Sequence, residues 1–320
     1  MKALVTGGEG FIGRNIIKEI NSRGWYSISM DIAEKKSEAN EFHQVSILDR
    51  DKMENLFSGV DYVFHNAAVT SPPEFEERPF EGFDTNVMGT FNVLDMARRH
   101  NVRRVILASS SSIYGNTMKK TAEGDVDTNF INLYPMSKFI NELLAKFYGK
   151  DKTPETVFLR YFNTYGSGEN SKGFYSSVIH KFISDIRLGE TPVIFGDGTQ
   201  SRDFIFVKDV ARANVMAAIG GRTGESYNVG TGVTTSFNNI YKIVREEMGS
   251  SVQAKYEKIP FQSYQLFTCA DITKINKDTG FKPEFDLRAG TLYSSKMWQK
   301  QMLWPQLVAG LENHTMWGQE

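Results

Sequence analysis

The stretch from Lys2 to Asp31 constrains this chain more than any other. Lys2-Ala-Leu-Val-Thr6 is a short apolar run of the kind that forms a strand buried on both faces, and Gly7-Gly8-Glu-Gly10-Phe-Ile-Gly13 follows with no spacer. Gly7, Gly8 and Gly10 suit a tight turn whose backbone approaches a pyrophosphate. Gly13 suits close packing of the next helix on the strand, and the helix start at Phe11 and Ile12 offers free N–H groups to an anion. The helix is expected over Phe11 to Ser22, with Ile12, Ile16, Ile17 and Ile20 on one face, and it stops at Arg23-Gly24. The next strand, Ser27 to Asp31, ends in an acid eighteen residues beyond Gly13. A carboxylate there is placed to bind an adenosine 2′-hydroxyl and repel a 2′-phosphate. NAD is therefore the expected cofactor, with Lys35-Lys36 keeping NADP open.

Strand and helix signals then alternate. A third strand is expected at Glu41 to Ser46, a helix capped by Asp49-Arg50-Asp51 over Lys52 to Ser58, and a fourth strand at Val60 to His65. Asn66-Ala67-Ala68-Val69 puts small residues, Ala67 and Ala68 among them, where the chain passes the cofactor. His65 reads as a hydrogen-bonded strand-end histidine. Pro72, Pro73 and Pro79 suggest an irregular loop before a long helix from Phe80 to Arg99. Val102 to Ala108 is the fifth strand and delivers Ser109-Ser-Ser-Ser112, of which one hydroxyl is expected to touch substrate.

Tyr134-Pro-Met-Ser-Lys138 opens a helix to about Tyr148, with Tyr134 and Lys138 stacked at i, i+4. An ammonium beside a phenol, together with a nicotinamide cation, is expected to lower the phenol pKa and make it a base. Phenolate and serine hydroxyl then take a proton from a sugar alcohol while hydride leaves its carbon.

Bulk properties narrow the class. The chain carries 37 basic and 38 acidic residues, so it has no basic footprint for nucleic acid, and no apolar run is long enough to span a bilayer. Met1 leads directly into the first strand, and a cytoplasmic protein without a leader is expected. The single cysteine, Cys269, excludes intramolecular disulfides and multi-cysteine zinc sites, and no metal site is expected. It reads as a small buried residue.

These motifs resemble the extended short-chain dehydrogenase/reductase family, specifically its nucleotide-sugar epimerases and dehydratases. The resemblance runs from Thr6-Gly-Gly-Glu-Gly-Phe-Ile-Gly13 through Asn66-Ala-Ala68, Ser109 to Gly115, Tyr134 to Lys138 and Arg160-Tyr-Phe-Asn-Thr-Tyr-Gly166. It continues through Gly196 to Phe204 and Tyr227 to Gly232. It implies a Rossmann-type doubly wound parallel sheet over 1–165 with further elements from 200–235, a smaller α/β substrate lobe over 166–303, a tail at 304–320, and a homodimer formed through the Phe80 and Tyr134 helices. It also implies Ser110 as the catalytic serine, Tyr134 as base, Lys138 on the nicotinamide ribose, Asn163 on substrate phosphate or sugar, and Arg202 on the pyrophosphate.

The family's sugar 4,6-dehydratases carry an Asp-Glu pair after the catalytic hydroxyl, where this chain has Ser111 and Ser112. Without those carboxylates, oxidation and re-reduction on the opposite face is the expected reaction, with Ser111 among the substrate contacts. Most motifs resemble UDP-hexose 4-epimerases. Tyr264-Gln-Leu-Phe-Thr268 and Ser171-Lys172-Gly173 instead resemble ADP-glycero-manno-heptose 6-epimerases, in which Lys172 would be a second catalytic residue and Tyr264 a substrate contact. A solvated loop lysine is the plainer reading of Lys172. A non-catalytic nucleotide-binding module and a net sugar-nucleotide dehydrogenase stay open as alternatives.

Helices are further expected over Tyr175 to Leu188, Asp209 to Ile219 and Phe237 to Met248, with a strand at Pro192 to Phe195 and His180 as a packing residue. Trp304, Pro305 and Trp317 in the tail show no clear period.

Overall fold

The computed structural model of the protein describes residues 1–70, 72–130, 132–150, 153–169, 172, 176–259 and 264–297. Among them, seven strands form one parallel sheet: β1 (Lys2–Thr6), β2 (Tyr26–Asp31), β3 (Glu41–Gln44), β4 (Tyr62–His65), β5 (Arg104–Ser110), β6 (Glu155–Tyr161) and β7 (Ser226–Val229). Their order is β7-β6-β5-β4-β1-β2-β3. The winding direction reverses between β1 and β4, and the crevice outside the carboxyl ends of strands at such a point is where open α/β sheets bind ligands.

Both faces of the sheet are covered, which explains why β1 reads as a continuous apolar run and why β4 is buried along its whole length. On one face, helix α1 (Phe11–Ser22) presents Ile16, Ile17 and Ile20, all fully buried, to Val5, Phe64 and Ile106, with Ile12 packed at the edge. Helix α4 (Val207–Gly220) lies beside it through Val210, Ala213 and Ala217. On the other face, helix α2 (Gly89–Arg99) packs Val93, Leu94 and Ala97, and helix α3 (Leu133–Gly149) packs Ala145 and Tyr148, against Leu4, Val63, Val105 and Phe158.

A separate apolar cluster joins the helices Val178–Leu188 and Phe237–Glu247 through Ile179, Phe182, Ile240 and Val244, over the parallel pair Val193–Phe195 and Lys255–Glu257. The first of these helices is capped by Ser177, whose Oγ accepts from His180 N at 3.2 Å. Its expected start at Tyr175 lies outside the described residues, as does the 304–320 tail with Trp304, Pro305 and Trp317. Among the described residues no helix is long and apolar enough to cross a membrane, and no cluster of side chains could hold a metal ion.

Three expectations need correction. The segment after Ser71 is not an irregular loop but two short helices, Pro72–Glu77 and Pro79–Phe83, because proline is tolerated in a first helical turn. The single helix from Phe80 to Arg99 is interrupted by a π-helical turn at Asp84–Met88. Such turns often mark functional sites, and this one carries the buried Asn86. The Lys52–Ser58 helix is likewise split into an α-turn Arg50–Met53 and a 3-10 turn Glu54–Phe57, with Asp49 Oδ1 accepting from Lys52 N as the cap.

Candidate active site

A cavity of about 1100 Å³ opens at the strand carboxyl ends, lined among others by Gly7, Glu9, Gly10, Phe11, Ile12, Gly13, Asp31, Ala67, Ala68, Ser110, Tyr134, Lys138 and Lys172. At its cofactor end the glycine turn is built for a close approach. Gly7 has φ +67°, and a Cβ there would lie 2.7 Å from Ala67 N. At Gly13 a Cβ would lie 2.0 Å from Gly7 O, so the helix can pack on the turn only without a side chain. Gly8 has a different role from the one its position suggests. Its Cβ would meet Ser29 Oγ at 2.3 Å, so it faces β2, and it is not part of the cavity wall.

Gly10 caps α1 without a side-chain acceptor, and the first in-helix bond is Arg14 N to Gly10 O at 3.1 Å. The N–H groups of Phe11, Ile12 and Gly13 therefore precede the helical bonding pattern and stand at the cavity. Together with the space that Cβ atoms would fill, this fits the pyrophosphate of a dinucleotide. Asp31, at the end of β2, accepts from Glu9 N and Ala33 N, both at 2.9 Å, which fixes its carboxylate at the cavity edge. Ala67 is held in the opposite wall, its N–H donating to Thr6 Oγ1 at 3.3 Å.

Helix α3 brings the proton-handling groups together. Asn132 Oδ1 accepts from Tyr134 N at 3.1 Å and starts the helix, so that Tyr134, Lys138 and Glu142 follow at i, i+4 and i+8 on one face. Glu142 fixes that face to the sheet. It is buried and ionised: burial opposes its charge, but a two-bond pairing with Arg160 (2.9 and 2.7 Å) and donations from Ser109 and Ser226 hold its pKa below the usual range. Lys138 is also buried and donates from Nζ to Ala108 O at 3.1 Å. Burial pulls its pKa down to about 8.

Two opposed influences act on the phenol of Tyr134. Burial raises its pKa, and the Ser110 hydroxyl is what pulls it back. Lys138 stands 6.0 Å from the ring centroid with its ammonium committed to a carbonyl, so helical spacing places the lysine on the right face without bringing it against the phenol oxygen. Ser110 is well prepared as the donor. Its Oγ accepts from Ser112 N at 3.1 Å and from Ser112 Oγ at 2.9 Å, which leaves its own hydrogen for Tyr134. Ser111 is buried in the 3-10 turn Ser111–Tyr114 and is not part of the cavity wall.

The remaining site candidates divide in two. Lys172 lines the cavity, but its ammonium lies 3.4 Å from the buried Glu169 Oε1 and 4.6 Å from the centroid of the Phe11 ring, at the glycine-turn end. Ser171 and Gly173 beside it lie outside the described residues. Arg202 and Tyr264 meet each other away from this cavity wall. The Arg202 guanidinium lies 5.0 Å from the Tyr264 ring centroid and 5.4 Å from that of Phe237, and it donates to Gln265 O. Its Nε is buried and without a partner among the described residues, and burial lowers its pKa. Asn163 donates to Asp203 O at 3.0 Å and Thr268 Oγ1 at 2.8 Å.

Comparison with known proteins decides the lineage. Residues 3–230 match the NAD dependent epimerase/dehydratase family. This chain belongs to that family. A putative UDP-glucose 4-epimerase of Methanocaldococcus jannaschii is 35% identical over 294 residues, covering 90% of this chain and 95% of the relative. The ADP-L-glycero-D-manno-heptose-6-epimerase of Brachyspira hyodysenteriae is 30% identical, covering 93% and 98%. Among solved structures, the Thermotoga maritima UDP-glucose 4-epimerase with UDP-glucose superposes with a TM-score of 0.89 at 29% identity, over 94% of this chain and all of that one. This NAD-dependent epimerase/dehydratase is thus an enzyme of the isomerase type, with the sheet, glycine turn and cofactor that the sequence motifs implied.

Three residues of this family member escaped sequence reasoning. Asn86, in the π-turn, bonds both Val69 N (2.8 Å) and Val69 O (3.0 Å) and donates to Ser137 Oγ at 3.1 Å, so it ties the cofactor wall to the helix of Tyr134 and Lys138. Ser112 acts on Ser110 as described. Glu9 occupies the unspecified position of the glycine motif, where no pattern rule assigns it a role. Cys269 is buried as expected, with its thiol pKa raised by burial.

His65 is a packing residue with a clear pH signature. Nδ1 lies 2.7 Å from Thr6 Oγ1 and Nε2 lies 2.9 Å from Thr90 Oγ1, whose own hydrogen goes to Asn86 O. The neutral tautomer protonated at Nε2 satisfies every group. Burial, then the charge of Lys138, pushes the pKa down to about 3. Because the folded value lies below the unfolded value of about 6.5, its contribution to stability is complete above pH 6.5 and is lost as pH falls towards 3. The loss is at most about 4–5 kcal/mol. Urea unfolding of the wild type between pH 7 and pH 4 should show this decline, and His65→Gln should flatten it. An equal slope in the variant would remove His65 as its source.

Proposed function

We propose that this enzyme inverts the C4 hydroxyl of a UDP-hexose, of the UDP-glucose/UDP-galactose type, by transient oxidation and re-reduction on the opposite face. The observation that carries this reading is the hydrogen-bond chain from Ser112 to Ser110 to Tyr134. Ser112 donates twice to Ser110, and Ser110 donates to the phenol. Each donation polarises the next, so the chain favours phenolate at Tyr134. It is a single proton relay, and the position a dehydratase would give to an acid serves it instead. Epimerisation asks for no more than this relay: one proton leaves the sugar hydroxyl and later returns to it. Bound NAD supplies the reversible hydride acceptor, and its nicotinamide charge adds to that of Lys138 in favouring the phenolate. Arg202, with a spare buried Nε, suits the substrate diphosphate, and Asn163 the neighbouring sugar or phosphate. The exposed Leu143 and Phe147 of α3, with Phe80, support a homodimer through these helices.

Lys172 supports a second reading, inversion at C6 of an ADP-heptose, because it lines the same cavity. Its pairing with Glu169 and its place over Phe11 favour a wall role near the phosphates. Proton NMR of the protein with NAD, given UDP-galactose in one tube and ADP-glycero-manno-heptose of one C6 configuration in another, separates the readings. Glucose-type anomeric signals are expected in the first tube, and Lys172→Ala should still produce them. Conversion confined to the second tube, and lost in Lys172→Ala, would replace the C4 reading with the C6 one.

A further inference from the structure

The residue between the second and third glycines of the turn, Glu9, is one of the more unusual features of the cofactor cleft. It is only 4% exposed, yet its carboxylate receives four donors. Oε1 accepts from Ser29 Oγ and from Ser37 Oγ at 2.7 Å, and Oε2 accepts from Lys36 N at 2.5 Å and Ser37 N at 2.6 Å. Ser29 lies on β2, and Lys36 and Ser37 lie on the chain that leaves it. That chain walls the cavity through Ile32, Ala33 and Lys36. The backbone of Glu9 also contributes, its N–H donating to Asp31 Oδ2 at 2.9 Å. Burial opposes the charge, but the four donors hold the pKa below the usual carboxylate range, so the group is ionised at neutral pH.

The two lysines that would welcome a 2′-phosphate lie on this same segment. Lys35 donates from Nζ to Ala39 O at 3.1 Å, and Lys36 is anchored through its backbone to Glu9.

We propose that Glu9 is a positioning and specificity residue for the cofactor: it clamps the 32–37 segment, orients Asp31, and adds a second buried anion to the adenosine end, so that NADP is rejected despite Lys35 and Lys36. The inference rests on the cofactor cleft alone and is independent of which sugar is turned over.

The test reads bound cofactor, not activity. The enzyme is exchanged against an equimolar excess of NAD and NADP, freed of unbound nucleotide, and its bound cofactors are quantified by chromatography, with a thermal melt run alongside. Wild type should hold NAD almost exclusively. Glu9→Gln removes the charge and two acceptor positions, and the bound NAD:NADP ratio should fall about tenfold or more. An unchanged ratio at full cofactor load would overturn the proposal, because a residue needed only for folding would lower both nucleotides together. Should Glu9→Gln not fold, Ser37→Ala carries the test, since it deletes one donor and leaves the carboxylate in place. A shift of about threefold in the same direction supports the clamp, and no shift overturns it.

Discussion

Tyr134→Phe is expected to lower turnover by roughly 10²- to 10⁴-fold, the usual contribution of a positioned acid or base, while NAD stays bound. The separation of effects follows from the site. The ring of Tyr134 is buried and packs edge-on against Phe75, and phenylalanine keeps that packing. The glycine turn and Asp31, which fit the dinucleotide, are untouched. Only the hydroxyl that ends the Ser112–Ser110 chain is lost. The pH profile supplies a second check. Burial raises the Tyr134 pKa in the protein alone and the Ser110 hydroxyl lowers it, so phenolate formation is expected to draw on Ser110 together with the positive charge that a bound nicotinamide would add. Turnover of wild type should therefore rise with pH on the alkaline side of neutrality, and Ser110→Ala should move that rise to higher pH. Turnover, pH profile and bound NAD can be measured on the same preparations. A Tyr134→Phe enzyme with unchanged turnover would assign the proton to another group.

Gly13→Ala is the second substitution with a large expected effect. Its Cβ would lie 2.0 Å from Gly7 O, 2.8 Å from Gly8 Cα and 2.9 Å from Gly7 C, all of them backbone atoms that cannot rotate away. Either α1 moves off β1 or the turn opens, and both displace the N–H groups of Phe11, Ile12 and Gly13. NAD affinity should fall about 100-fold or more, equivalent to about 2.7 kcal/mol, with a loss of stability of about 1–3 kcal/mol from overpacking. Gly10→Ala is the control, because its Cβ would meet only Gly7 O, at 3.2 Å. Calorimetric titration with NAD and a thermal melt of each variant measure the two effects. Equal affinities for the Gly13 variant and wild type would mean that the turn does not carry the pyrophosphate.

The fold was readable because its signals are local and repeated. The apolar run of Lys2–Thr6, the spacing of Ile16, Ile17 and Ile20, and the acid at Asp31 are each set by one element's burial, and the sheet follows from their alternation. Readings that depended on neighbours distant in sequence fared differently. Gly8 reads like its companions, but its contact is Ser29 on the next strand. The i, i+4 spacing puts Lys138 on the face of Tyr134 without revealing that burial raises the phenol pKa or that Ala108 O takes the ammonium. The prolines at 72, 73 and 79 signal a break, and they instead begin helical turns. Glu9 and Asn86 occupy positions that motifs leave blank, and only the folded chain shows Lys36, Ser37 and Val69 converging on them.

The most direct measurement of the central claim is the fate of a label at the reacting carbon. The enzyme with NAD is given UDP-galactose deuterated at C4 of the sugar, and product and nucleotide are followed by NMR. Hydride that leaves C4 and returns to it carries the label, so the UDP-glucose formed should retain its deuterium at C4 with no accumulation of reduced cofactor. Loss of the label to solvent would mean inversion by proton abstraction at carbon. Steady accumulation of NADH would mean a net dehydrogenase. Either result would contradict transient oxidation by hydride transfer to NAD and return of that hydride to the same carbon.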